Sequence, residues 1–479
     1  MRGVYSVDEV RAAEDALMAQ LPEGALMQRA AYGLATECVQ LLGSPYGARV
    51  VLLVGAGNNG GDALYAGAQL ARRGAQVTAL LLDRERAHAG GLEALERAHG
   101  RALDPDPALV AGADLVLDGI VGIGGKGGLR ANAVPLAEAA RAVPTVAVDV
   151  PSGVDAGTGA AGAQGEDTSV VHADVTVTFG ALKPGLVTGA GAQHVGDLRF
   201  VDIGLGATLP EARTFVLEQA DVAELLPTPG AADDKYTRGV VGLVSGSAAY
   251  PGAGVLSTGS AINGGAGMVR YAGGAADAIR AAYPEVVVQE GATPSDLRVQ
   301  AWVAGPGMGT DDDARDLLAN VLSADVPAIV DADGITLLGK HPDLLDGRGA
   351  ATVLTPHDRE FARVADGPSP DRLASAREAA ATLGVTMLLK GDATVVAAPD
   401  GRAWVNRTGT PWLGTAGSGD VLSGLIGSLL TAGLEAPLAA AVGAYVHGVA
   451  GQLAAADGPP SSIDVLHAVR PALNRIRRG

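Results

Sequence analysis

Two stretches of the chain combine glycine loops with carboxylates at spacings that can do chemistry. In the first, VVLLVGAGNNGGDALYAGAQLARRGAQVTALLLD, Gly55, Gly57 and Gly60 satisfy G-x-G-x-x-G between a strand pattern and a helix pattern, and Asp83 ends the next strand pattern. Amides at a helix N-terminus are unpaired and the helix dipole favours negative charge there, so such a loop binds phosphate. Phosphate needs only glycine amides, yet this loop also carries Asn58, Asn59 and Asp62. Further on, Asp118 ends LVLD before the glycine-rich GIVGIGGKGGLR, Asp149 and Ser152 lie in VAVDVPSG, and HADVTVTFGALKPG supplies another strand and turn. Ligands of a parallel sheet bind beyond the carboxyl ends of its strands. Asn59, Asp118 and Ser152 are therefore expected on one rim, where carbonyl, carboxylate and hydroxyl are hard oxygen donors for a cation such as K⁺ or Mg²⁺. A lone Asp at a strand end is readily explained as a turn cap; four such loops together favour a ligand.

The second stretch is NRTGTPWLGTAGSGDVLSGLIGSLLTAGL, from Asn406. Glycines 414, 417 and 419 lead into a helix expected to start near Asp420. The amides of Ala416 to Gly419 then form an anion hole. Asp420 beside it is placed to take a hydroxyl proton while phosphoryl charge develops on those amides. A simple N-cap would also explain an Asp here, but not the small residues before it.

These loops need elements to hold them. Apolar spacing predicts two helices in 6–42, interrupted at LPEG; strands near 49–54, 76–82, 114–118, 145–149 and 174–178; and helices over 61–73, 90–99 and 134–142. The alternation implies a parallel sheet covered on both faces, a Rossmann-like three-layer arrangement. The rhythm breaks over 204–234, so the expected domains are 1–215 and 235–479, with a linker at 216–234. A second α/β pattern follows, ending in two antiparallel strands and three apolar helices. The halves do not align with each other, so the chain is not a repeat.

With 479 residues the chain can bury two large cores. It is 48% apolar and only 3% aromatic, so Val, Leu, Ile and Ala must fill them. A formal charge of −18 gains nothing from counterion release on DNA, and nucleic acid is not an expected partner. One cysteine, Cys38, excludes an internal disulfide, points to a reducing, cytoplasmic setting, and is expected to be buried in a helix. The N-terminus MRGVYSVDEVRAAEDAL has no apolar run and is not a signal peptide. Residues 436–456 carry no formal charge, but Ala, Gly and His447 make a buried helix the expectation and not a membrane span.

The combination G-x-G-N-N-G-G-D, D-x-x-x-G-x-G and D-x-P-S-G-x-D, starting at Gly55, Asp118 and Asp149, resembles the NAD(P)H-hydrate epimerase domain over about residues 1–215. The resemblance implies that Asn58, Asn59, Gly60, Gly61 and Asp62, with Gly122, Ile123, Gly124, Gly125, Lys126, Gly127 and Gly128, hold a hydrated nicotinamide nucleotide. It implies that Asn59, Asp118 and Ser152 hold K⁺, and that Asp149 works at the altered ring as general acid or base at C6. Asp62 is expected to brace the loop at the helix start. Ala56, Ala63 and the glycine-rich loop with Lys126 depart from the family pattern.

The G-x-G-D at Gly417 resembles the ribokinase-like α/β fold, and within it the ADP- or ATP-dependent NAD(P)H-hydrate dehydratase, over about 235–479. GSAAYPGAG, VAGPGMG, LTPHDREF and LKGDATVVA carry the match. By resemblance, Ala253, Gly307, His357 and Asp420 contact the substrate, and Lys390, Gly391, Asp392, Ala393, Thr394 and Gly419 contact the nucleotide. Glu360 would orient phosphate carrying Mg²⁺. Arg359 stands where the family has Gly. The implied chemistry is interconversion of R and S hydrates of NADH and NADPH, then phosphorylation of the S hydroxyl, with ADP the expected donor, and elimination. A homo-oligomer is expected. Three alternatives stand beside this: a vitamin or sugar kinase fused to a nucleotide-binding module, a first domain that is only a scaffold, and a Rossmann dehydrogenase using Asp83.

Overall fold

The computed structural model describes residues 1–162, 169–289 and 294–478. The chain divides into two compact units, Gly3–Arg213 and Thr214–Gly479 with Met1–Arg2.

The first unit is built on a seven-stranded sheet, all parallel. Its strands run in the spatial order Arg101–Leu103, Gln76–Leu81, Arg49–Val54, Leu115–Gly119, Thr145–Val148, Val175–Phe179, Asp197–Val201. Past the exposed Arg49 the central strands are buried and mostly apolar, as a sheet covered on both faces requires. One core packs Leu34, Cys38, Leu52 and Leu64; another packs Val51, Leu53, Val116 and Leu136. The chain leaves Arg49–Val54 toward one edge and returns at Leu115–Gly119 on the other side. The loops after these two strands therefore flank the point where strand order reverses, the usual crevice for a ligand. Burial pushes the Cys38 thiol up to about 12.

The second unit has a mixed sheet. Strands Val287–Val288, Met268–Tyr271, Val240–Val244, Ala301–Ala304, Ala328–Val330, Thr352–Leu354 and Thr386–Leu389 run parallel, followed by the antiparallel pair Thr394–Ala397 and Ala403–Asn406. Its reversal point lies between Val240–Val244 and Ala301–Ala304. Helices Ser418–Thr431, Ala436–Ala454 and Ser462–Arg478 close the chain. Ala436–Ala454 is buried in this unit's core, and among the described residues no helix is long and apolar enough to cross a membrane. The segment expected as a linker, 216–234, is partly folded: helix Gln219–Leu225 packs Val222 into the core. Its charged surface positions hide that single apolar stripe from a reading by rhythm.

Candidate active sites

In the first unit, helix Asn58–Arg72 starts directly after the glycine loop, with Gly57 at φ 129° as its cap. Gly55 is obligatory, since a Cβ there would lie 1.9 Å from the Ile120 carbonyl oxygen. That contact brings the two loops of the crevice together, and Gly122 lies against the Asn59 amide, a Cβ there being 3.0 Å from Oδ1.

Asp118 is fully buried. The Ser152 amide donates to its Oδ2 at 2.7 Å, the Ser152 hydroxyl to Oδ1 at 2.7 Å, and the Ile120 amide to Oδ1 at 3.2 Å. Burial still pushes its carboxyl up to about 6, against those hydrogen bonds. The Asn59 side-chain nitrogen is buried with no hydrogen-bond partner among the described residues. The two ends of an amide are distinguished only by their hydrogen bonds. Turned over, this amide would aim an oxygen at the same space, where a cation is the natural occupant. Asn59, Asp118 and Ser152 thus fit K⁺: one carboxylate among neutral oxygens suits a hard monovalent ion. Among the described residues, no three His, Cys, Asp or Glu side chains group to hold a metal.

Asp149 sits at φ 65°, a strained conformation for a non-glycine residue that favours functional sites. Its Oδ1 accepts from Lys183 Nζ at 2.5 Å, Thr178 Oγ1 at 3.0 Å and the Phe179 amide at 3.2 Å. Its second oxygen takes no hydrogen bond from the described residues. Lys183 is 1% exposed, and is a residue the sequence did not single out, although HADVTVTFGALKPG contains it. Asp62 corrects an expectation. Its carboxylate braces nothing: it makes no hydrogen bond among the described residues. Burial raises its pKa well above the usual carboxylate range, with Asp149 and Glu14 adding and Lys183 opposing. Asp83 accepts from the Arg86 amide at 3.2 Å, which is a turn cap. Asn58 is exposed at the mouth, and Lys126 is exposed on the glycine-rich loop, which turns at Gly127 with φ 72°.

In the second unit, Gly417 at φ 89° caps helix Ser418–Thr431. The anion hole differs in one member from expectation. The Ser418 amide turns inward to the Thr415 carbonyl at 3.3 Å while its hydroxyl holds the Leu413 carbonyl at 2.6 Å. The amides of Ala416, Gly417 and Gly419 keep no acceptor among the described residues. Behind Ser418 lies His447, whose buried Nε2 has no hydrogen-bond partner among the described residues. Burial draws its pKa down to about 4, so it stays neutral.

Asp420 is half-buried and takes no hydrogen bond from the described residues. Burial first, then Asp331, push its carboxyl up to about 7, with Lys390 opposing and Asp333 and Glu360 adding. Lys390 Nζ reaches Asp331 at 3.0 Å and Glu360 at 3.6 Å. A Cβ on Gly419 would lie 3.3 Å from that Nζ, so the ammonium sits directly under the anion hole. Burial lowers the Lys390 pKa, but Asp331 and Glu360 outweigh it and raise it. Asp331, missed within VPAIVDADG, is 1% exposed and also accepts from Ser423 Oγ at 2.8 Å.

Glu360 is occupied as well: it accepts from the His357 amide at 2.9 Å while His357 Nδ1 caps the same helix. A direct bond from Glu360 to Mg²⁺ would have to displace these partners, so its fit is to phosphate-borne Mg²⁺ at most. Half of the His357 side chain is exposed toward solvent. Ala253 and Gly307 meet at the reversal point, where a Cβ on Gly307, at φ 61°, would be 2.8 Å from Ala253 Cβ. Lys390 to Thr394 form the hairpin turn into strand Thr394–Ala397; Gly391 and Asp392 are exposed, whereas the Ala393 side chain is buried. Arg359 is exposed to solvent.

Two doubly wound α/β units, each with a carboxylate at a glycine loop, define an enzyme with two centres, the second of them ribokinase-like. The comparisons agree. Residues 23–185 match the profile of the YjeF-related protein N-terminus, and 241–469 that of NAD(P)H-hydrate dehydratase. A bifunctional NAD(P)H-hydrate repair enzyme of Mycobacterium leprae is 49% identical over 471 residues, 97% of this chain and 96% of its own. The Corynebacterium glutamicum relative of the same name is 36% identical, covering 90% and 87%. A solved ribokinase-like superfamily protein of Enterococcus faecalis aligns with TM-score 0.50 and 25% identity, over 56% of this chain and 97% of that one. The chain belongs to the bifunctional NAD(P)H-hydrate repair enzymes.

Proposed function

We propose that the first unit interconverts the R and S hydrates of NADH and NADPH, and that the second dehydrates the S form by way of a phosphate ester. The observation that carries this is the free Asp420 carboxylate beside the unpaired amides of Ala416, Gly417 and Gly419.

In the second unit, Asp420 takes the proton of the C6 hydroxyl as its oxygen attacks the terminal phosphorus of the donor. The three amides and Lys390 receive the developing charge. The transfer turns hydroxide, a poor leaving group, into phosphate, a good one. Loss of phosphate from C6 and a proton from C5 restores the ring, so ADP would leave as AMP and phosphate. Mg²⁺ entering on the nucleotide would supply charge neutralisation for the transferring group. Ala253, Gly307 and His357 line the substrate side; Lys390 to Thr394 and Gly419 line the nucleotide side.

In the first unit, C6 carries both a hydroxyl and the ring nitrogen, so the nitrogen lone pair helps the hydroxyl leave once it is protonated. Asp62, which holds its proton far above the usual range and interacts with Asp149, is the donor, and the unbonded oxygen of Asp149 is the acceptor. Water returning to the opposite face inverts C6. Residues 58–62 and 122–128 hold the nucleotide. K⁺ at Asn59, Asp118 and Ser152 would supply a counter-charge to Asp118.

The buried thiol fits a reducing cytoplasm, and exposed Met18, Tyr32 and Leu41 on the two N-terminal helices fit a homo-oligomer. Purified R and S hydrates incubated with ADP and with ATP test the reading. Recovery of reduced-nicotinamide absorbance with one donor is expected. No recovery, with phosphorylation of a small alcohol instead, would make this a kinase.

A further inference from the structure

Helix Val7–Met18 precedes both profile matches and has no role so far. A Ser6–Glu9 capping box fixes its start, and Val10 and Ala13 are buried in the first unit's core. Residues three and four apart share a helix face. Arg11 and Glu14 are such a pair, and both turn to the crevice. A Cβ on Gly124 would lie 3.2 Å from Arg11 Nη2, so the guanidinium rests on the glycine-rich loop. Ile123 of that loop packs against the core that holds Val10 and Ala13. Glu14 is half-buried and interacts with Asp149, Lys183 and Arg11, and Asp62 interacts with Glu14 in turn. Arg11 makes no hydrogen bond with any described residue.

A planar guanidinium with unused donors, laid against a loop of glycine amides in a chain of charge −18, matches a phosphate. We propose that helix Val7–Met18 is a wall of the epimerase site and that Arg11 binds a phosphate of the hydrated dinucleotide against Gly124. Glu14, turned to the acid cluster, shows that this face of the helix looks inward. The inference rests on the epimerase reading of the first unit.

The test uses the full chain with Arg11→Ala and Arg11→Lys. For R-hydrate epimerisation, Arg11→Ala should raise KM about ten-fold with kcat within about two-fold, and Arg11→Lys should recover part of the loss. The salt dependence of KM should flatten in Arg11→Ala. Dehydration of the S form by the same protein should be unchanged, which reports intact folding. An unchanged KM, or a loss confined to kcat, would overturn the inference. Equilibrium binding of the R hydrate separates it from its parent: if the wild-type chain binds but does not epimerise, weaker binding by Arg11→Ala upholds the phosphate contact while the epimerase reading fails. Equal binding by both proteins sinks the contact itself.

Discussion

Each unit sets a lysine against an aspartate at a strand end, yet the two pairs do different things. In the first, Lys183 grips Asp149, the acid we propose works on the ring, through one oxygen and leaves the other open. In the second, Lys390 grips Asp331, a neighbour of Asp420, the acid we propose as base, and Asp420 itself takes no hydrogen bond from the described residues and is pushed up to about 7. A pinned acid is fixed in position, which suits taking a proton from water as it adds to one face of the ring. An unpinned acid of raised pKa is a stronger base, which suits taking a proton from a hydroxyl at neutral pH.

The sharpest way to break the contrast is to remove each acid. Asp420→Ala should lower the dehydratase kcat by about 10³-fold and leave epimerisation intact, and Asp149→Asn should do the converse. Activity assays on separate R and S hydrates read both, and an undiminished rate in either variant ends that half of the mechanism.

The lysines come next. Lys183→Met strands Asp149 in the interior and should cost the first unit about 3–5 kcal/mol, whereas Lys390→Met should cost less, because Asp331 keeps Ser423 and Lys390 is partly exposed. Denaturant unfolding followed unit by unit would show it; equal losses would erase the distinction.

Acidity offers a third comparison. A carboxyl raised to about 7 is protonated below that pH and is then no base, so dehydratase kcat/KM should fall about ten-fold per unit as pH drops below about 7. A flat profile there would mean that another group takes the proton.

The smallest effect concerns the cation. Asp118, raised to about 6, offers a carboxylate to K⁺ only above that pH. Stabilisation of the first unit by KCl over choline chloride should therefore amount to a few degrees near pH 7.5, fade as pH falls through about 6, and vanish in Asn59→Ala. Stabilisation that survives in acid would exclude Asp118 as a ligand.

How legible each site was follows from how it is encoded. Gly55, Gly57, Gly417 and Asp420 lie in contiguous motifs, because a loop that presents amides must be built from adjacent residues. Lys183 and Asp331 act through space: the first reaches a partner 34 residues away and the second one 59 away. Nothing local marks a lysine or an aspartate as buried, so no spacing could single out either. The inward turn of the Ser418 amide depends on the Thr415 carbonyl and the Leu413 contact, a choice made by packing. The repeating α/β layers were readable from apolar spacing, whereas edge strands such as Arg101–Leu103 and Asp197–Val201, short and partly exposed, carried too little pattern.

The buried Cys38 has a practical corollary. With the only native sulfhydryl sealed in a helix and held as the neutral thiol, maleimide reagents should leave the folded chain untouched. A cysteine introduced at Asn58 or Asp392, both exposed, would then be a solitary reporter, able to watch one crevice fill while the other stays silent.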